Sequence, residues 1–103
     1  MSNRIEAIRN LLSQSPNDSR LRYMLANEFK NAGQLAEAVA EYRALLAADP
    51  TYGPAYYHGG QTLEQMGNFD EARSIYVAGI EATTRNGDAH TRSELEAALS
   101  ILG

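Results

Sequence analysis

The chain has 103 residues, no cysteine and a formal net charge of −4. That length suits one domain burying roughly 65% of its unfolded surface, and the missing thiols exclude a disulfide framework, a thiolate metal site and a cysteine nucleophile. The acidity falls late: residues 1–50 hold six basic and six acidic side chains, residues 51–103 three and seven, a balance that repels phosphate backbones and argues against nucleic-acid binding; it reads first as an ordinary solvated surface, and second as a weak preference for basic partners.

Between glycines and prolines the apolar residues recur at helical spacing, without strand-like alternation. The first segment, residues 3–14, places Ile5, Ile8, Leu11 and Leu12 on one face before Pro16 and Asn17 stop it. Arg4, Glu6, Arg9 and Asn10 interrupt it, which argues against a secretory signal. No later run reaches the roughly 18 apolar residues of a membrane span, so no membrane role is expected and a cytoplasmic location is. The second segment, residues 18–31, stacks Leu21, Leu25 and Phe29, and Gly33 supplies the left-handed stop. The third, residues 35–48, turns Leu35, Ala38, Tyr42, Leu45 and Leu46 inward and ends before Pro50. The fourth opens at Gly53-Pro54, where proline suits a first turn, and stops at Gly67. Asn68 with Glu71 reads as a capping box for the fifth, from Phe69 to about Thr83. The sixth, opened by Asp88, carries Leu95, Ala98, Leu99 and Leu102 on one stripe, with Ala97 and Ile101 to another side. Connections this short pack neighbouring helices antiparallel.

A displacement of 34 residues lays the chain over itself: Tyr23 on Tyr57, Gly33 on Gly67, Leu35 on Phe69, Glu37 on Glu71, Ala38 on Ala72, Tyr42 on Tyr76, Ala48 on Ala82. A fixed period of this kind marks stacked units that bury their apolar faces only against neighbours. Ala38 and Ala72 then sit where two helices cross closely, and Tyr42 and Tyr76 fill the volume between repeats.

These residues resemble the tetratricopeptide repeat family, whose unit reads W-x2-L-G-x2-Y, A-x3-F, P. The first copy is Arg22-x2-Leu25-Ala26-x2-Phe29, Ala38-x3-Tyr42, Pro50; the second is Tyr56-x2-Gly59-Gly60-x2-Leu63, Ala72-x3-Tyr76, with Thr84 at the proline position. The resemblance implies an all-α, right-handed α-α superhelix of about six helices in a single domain, residues 1–103. Residues 3–16 look like an N-terminal half-repeat, with Arg4 at the alanine position; residues 19–52 and 53–86 are the full repeats, and 88–102 a C-terminal capping helix.

By the same resemblance, the first helices of the repeats line a concave groove that holds an extended peptide or a helix of another protein. Mapped onto this chain, the peptide-binding side chains are Tyr23, Asn27, Lys30, Asn31, Tyr57, His58, Gln61 and Arg92, with Arg20, Glu64 and Gln65 on the same face. Aromatic rings supply rigid contact area there, and the amides pair with a peptide backbone. A subset of the family holds peptide carboxylates with a Lys-Asn-Asn-Lys-Arg clamp. Here Asn27 and Arg92 remain, but Tyr23, His58 and Asp88 stand near the other three positions, so that clamp is not expected. Gly59-Gly60 departs from the pattern, and two readings of it stand: either it opens a pocket beside Tyr57, or a neighbouring ring, Tyr56 or Tyr52, fills the space. His58 and His90 lack metal-ligand spacing and no nucleophile constellation stands out, so neither catalysis nor a cofactor is expected. The role implied is a non-catalytic adaptor or small chaperone-like binder. The competing role is self-association into a homodimer through the terminal helices.

Overall fold

The computed structural model describes residues 3–103, which form six helices: α1 (Asn3–Gln14), α2 (Ser19–Asn31), α3 (Leu35–Ala48), α4 (Gly53–Gln65), α5 (Phe69–Asn86) and α6 (Ala89–Leu102). Each helix packs on the next, and α4 additionally touches α2 and α6. The antiparallel pairs therefore stack as a right-handed superhelix in which α2, α4 and α6 line one face. None of these helices is long and apolar enough to cross a membrane.

The turns inside the two pairs are chemically alike. Gly33 and Gly67 take φ of 79° and 80°, where a side chain would be strained. Beyond each, the next N–H returns to the helix: Gln34 N to Phe29 O and Asn68 N to Leu63 O, both at 2.9 Å. Asp18 caps α2 by accepting from Leu21 N, and Asp88 caps α6 by accepting from Thr91 N. The capping box expected at Asn68 does not form: its side chain makes no bond to the first turn of α5, because the glycine turn already fixes the entry.

Ala26, Ala38, Tyr42, Ala55, Ala72, Tyr76 and Leu95 have no exposed surface, so both tyrosines and both crossing alanines sit where the period puts them. Leu11, expected inside, and Phe69, the counterpart of the inward Leu35, do not. Leu11 is 50% exposed, since α1 packs only on α2 and its buried stripe narrows to Ile5, Ile8 and Leu12. Phe69 is 48% exposed at the first position of α5. Val39, absent from the expected core, is buried.

The glycine pair of α4 opens no pocket. A Cβ on Gly60 would lie 2.1 Å from Tyr76 Cε1, so the ring lies against the bare backbone. A Cβ on Gly59 would come within 3.0 Å of Ile75 Cδ1. The filler is thus Tyr76, from the repeat's own second helix, and not Tyr56 or Tyr52. Tyr56 faces a third glycine, Gly79, whose Cβ would fall 2.6 Å from Tyr56 Cβ.

Candidate interaction site

Four rings follow one another over the α2/α4 face in tilted and edge-to-face contacts. Tyr52 lies 5.2 Å from Tyr23, Tyr23 5.8 Å from His58, and His58 5.3 Å from Tyr57, between centroids. All are half-buried, and Tyr23, Tyr52 and Tyr57 pack against the core. The offset, tilted arrangement suits the ring quadrupoles, so the ladder is stiff as well as apolar. Burial raises the Tyr23 phenol above its ordinary pKa, opposed by a bond from Asn27, so it stays protonated at neutral pH.

Polar groups are fixed along this ladder. Gln61 Nε2 donates to Tyr57 Oη at 2.9 Å, and Lys30 Nζ stands 3.5 Å from His58 Nδ1. Burial first, then the nearby ammonium, holds the His58 imidazole below its ordinary pKa, with Glu94 opposing; burial lowers Lys30 as well. Neutral imidazole therefore accepts from the Lys30 ammonium. Tyr42 sends its phenol O–H up from the core to Asn27 Oδ1, and Tyr76 sends its own to Glu64 Oε2. Asn27 is thus partly spent on holding its own repeat together, which a sequence reading of the amide as a free orienter does not show.

Seven of the eight expected contact residues lie on α2 and α4. Six of them (Tyr23, Asn27, Lys30, Tyr57, His58 and Gln61) are linked by the ring contacts and bonds above. Asn31 stands exposed at the end of α2, bonded to none of them.

Arg92, which the resemblance maps onto the groove, does not lie on this face. The 34-residue register breaks in α6: Gly60 and Leu63 are buried, but their counterparts Glu94 and Ala97 are exposed, whereas Tyr57 and Gln61 are half-exposed and their counterparts Thr91 and Leu95 are buried. The apolar stripe of α6 thus faces the other way round. The groove side of α6 is the row Glu94, Ala97, Ala98 and Ile101. Arg92, two residues before Glu94, lies about 200° round the helix from it. Reading α6 by its own leucines, without extending the period, finds Glu94.

Between that row and Tyr57, Gln61 and Glu64 of α4 lies a cleft of about 280 Å³. A shallower depression of about 450 Å³ lies on the α3/α5 side, lined by Arg43 and Glu71, which pair at 2.7 Å. No group of three His, Asp or Glu side chains among the described residues is arranged to hold a metal ion.

Compared with known proteins, residues 30–99 match one profile of the tetratricopeptide repeat and residues 5–53 match another. A TPR repeat-containing protein of Pseudomonas aeruginosa is 22% identical over 91 residues, 88% of this chain and 87% of its own. Among solved structures, a tetratricopeptide repeat domain protein from Salinibacter ruber is 33% identical with a TM-score of 0.80, over 84% of this chain and 88% of that one. The type III secretion translocator chaperone SycD of Yersinia enterocolitica shares the fold at a TM-score of 0.85 and 19% identity, over 95% of this chain and 68% of that one.

Proposed function

The chain belongs to the tetratricopeptide repeat family, whose arrays are protein-interaction modules, and from that premise we propose that it is a non-catalytic binder of a peptide segment or helix of another protein, seated on the α2/α4/α6 face. The observation that carries this reading is the half-exposed ring ladder Tyr52–Tyr23–His58–Tyr57, whose rings contact one another in sequence. Tyr57 is the central anchor, and Lys30, His58 and Gln61 orient the partner's backbone. A face built from two full helices and one capping helix supports an interface below about 1,200 Å², suited to a transient complex. The resemblance in fold to a secretion chaperone accords with a small chaperone-like or adaptor role.

The test is photo-crosslinking from two positions. With a benzophenone amino acid at Tyr57, in the groove, or at Val77, on an exposed part of α5, cells of the source organism report which face meets a partner. A partner trapped from position 57 and not from 77 supports the groove; the reverse moves the working surface to the other face.

One observation favours a second reading. Ile101 is 86% exposed beside exposed Ala97 on the terminal helix, a position where a second copy would extend the array. Light scattering of wild type and Ile101→Glu decides it, because a monomer indifferent to the change removes the dimer.

A further inference from the structure

The cleft between α4 and α6 has two kinds of wall. One side is apolar: the Tyr57 ring, Ala97, Ala98 and Ile101. The rim carries two carboxylates, Glu64 and Glu94. Neither has a lysine or arginine as an ion-pair partner among the described residues: Glu94 lies 3.9 Å from His90 and within electrostatic reach of His58 and Tyr23, and Glu64 accepts from the Tyr76 phenol. That bond fixes the Glu64 carboxylate at the rim, since Tyr76 itself is fully buried. A volume of about 280 Å³ exceeds that of any single side chain's polar head and admits a long stem as well. Lys30, a cation on the same face, stands against His58 at the α2 side of the ladder.

We propose that this cleft is the specificity pocket of the groove and takes a basic side chain, lysine or arginine, of the partner segment. The methylene stem lies along Tyr57, Ala97, Ala98 and Ile101, as long basic side chains do over apolar surface, and the cationic head meets Glu64 and Glu94. Charge complementarity selects this occupant: an acidic side chain is repelled by both carboxylates, and a purely apolar one strips water from them without replacement. The proposal rests on the groove reading above, of which it names the partner's chemistry.

The experiment is a selection of random linear peptides displayed on phage against immobilised wild type, with each selected peptide then measured on wild type, Tyr57→Ala, Glu64→Gln/Glu94→Gln and Glu94→Lys. In Glu64→Gln the amide oxygen still accepts the Tyr76 phenol, and melting curves confirm that each variant folds; Glu94→Lys, at an exposed position, stands alone should the double variant not fold. The expected result is peptides that require Tyr57 and share a lysine or arginine. Replacing that residue by norleucine weakens binding by about tenfold on wild type, with little effect on Glu64→Gln/Glu94→Gln. Peptides selected on Glu94→Lys lose the basic preference. Tyr57-dependent peptides with no shared basic residue overturn the pocket and leave the groove standing. If no selected peptide depends on Tyr57, the groove reading itself fails. A dimer dispersed by Ile101→Glu, with peptides binding only the dispersed form, makes a second copy the occupant and overturns the proposal.

Discussion

The two full repeats occupy the same helix–turn–helix frame but fill it differently. In the first, α2 and α3 contain no glycine, and Leu25, Ala26 and Leu45 stand where the second has Gly59, Gly60 and Gly79. In the second, the bare backbone admits rings: Tyr76 against Gly60 and Tyr56 against Gly79. Each helical glycine costs roughly 1 kcal/mol relative to alanine, and the buried ring offsets it. The repeats also differ above the core. The plug tyrosine of the first ends on an amide, Asn27, while that of the second ends on a carboxylate, Glu64. A repeat position, then, specifies a volume shared between facing side chains, and the polar end of the same plug sets the charge of the groove.

The comparison is broken most forcefully at Gly60. Gly60→Ala drives a methyl into the Tyr76 ring, and we expect a loss of about 1–3 kcal/mol in denaturant unfolding. Gly59→Ala, by contrast, presses only on the flexible end of Ile75, lies at ordinary contact distance from Tyr42 and gains helix propensity, so stability should hold or rise by up to about 1 kcal/mol. Equal effects from the two would show that the glycines do not have these separate roles.

Removing the plug hydroxyls sharpens the second difference. Tyr42→Phe should cost about 1 kcal/mol and Tyr76→Phe somewhat more, because its acceptor is charged. A larger cost for Tyr42→Phe would reverse the contrast. At the helix starts, Asp18→Ala removes a formed cap and should cost about 1 kcal/mol, while Asn68→Ala, with no cap bond to lose, should change thermal stability by less than about 0.5 kcal/mol.

The smallest effect concerns protons. His58 occupies the place that Met24 holds one period earlier. Its native pKa lies below the ordinary one, so the unfolded chain binds the proton better and stability rises with pH between the two values. Its contribution is therefore full above the ordinary histidine range and declines as pH falls through that range to the lowered native value. Melting from about pH 7.5 down to about pH 5.5 should show this fall, and His58→Met should flatten it. An unchanged slope in His58→Met would assign the pH dependence elsewhere.

Much of the architecture was legible because it is written as repetition. The period places Gly33 and Gly67 at their turns, Ala38 and Ala72 at the crossings, and Tyr42 and Tyr76 in the core. What the sequence hid lies where repetition ends. Leu11 is apolar and helical but lacks a second neighbour to bury it, and Phe69 opens a helix whose first turn faces solvent. Arg92 belongs to the groove only by the family resemblance, and α6 departs from that frame, since the leucines of a capping helix answer to α4 and α5 alone. The use of Asn27 and Glu64 as phenol acceptors was invisible for a different reason: it depends on how far a buried ring reaches, which spacing does not encode.

The ring ladder has one practical consequence. The chain contains six tyrosines and no tryptophan, so its ultraviolet emission arises from phenols alone. Three of those phenols, Tyr23, Tyr52 and Tyr57, belong to the half-buried ladder, and a fourth, Tyr76, is bonded to the rim carboxylate Glu64. A ligand that covers the rings or draws Glu64 away alters the very chromophores that light the protein, so occupancy of this face can be titrated by fluorescence with no label attached.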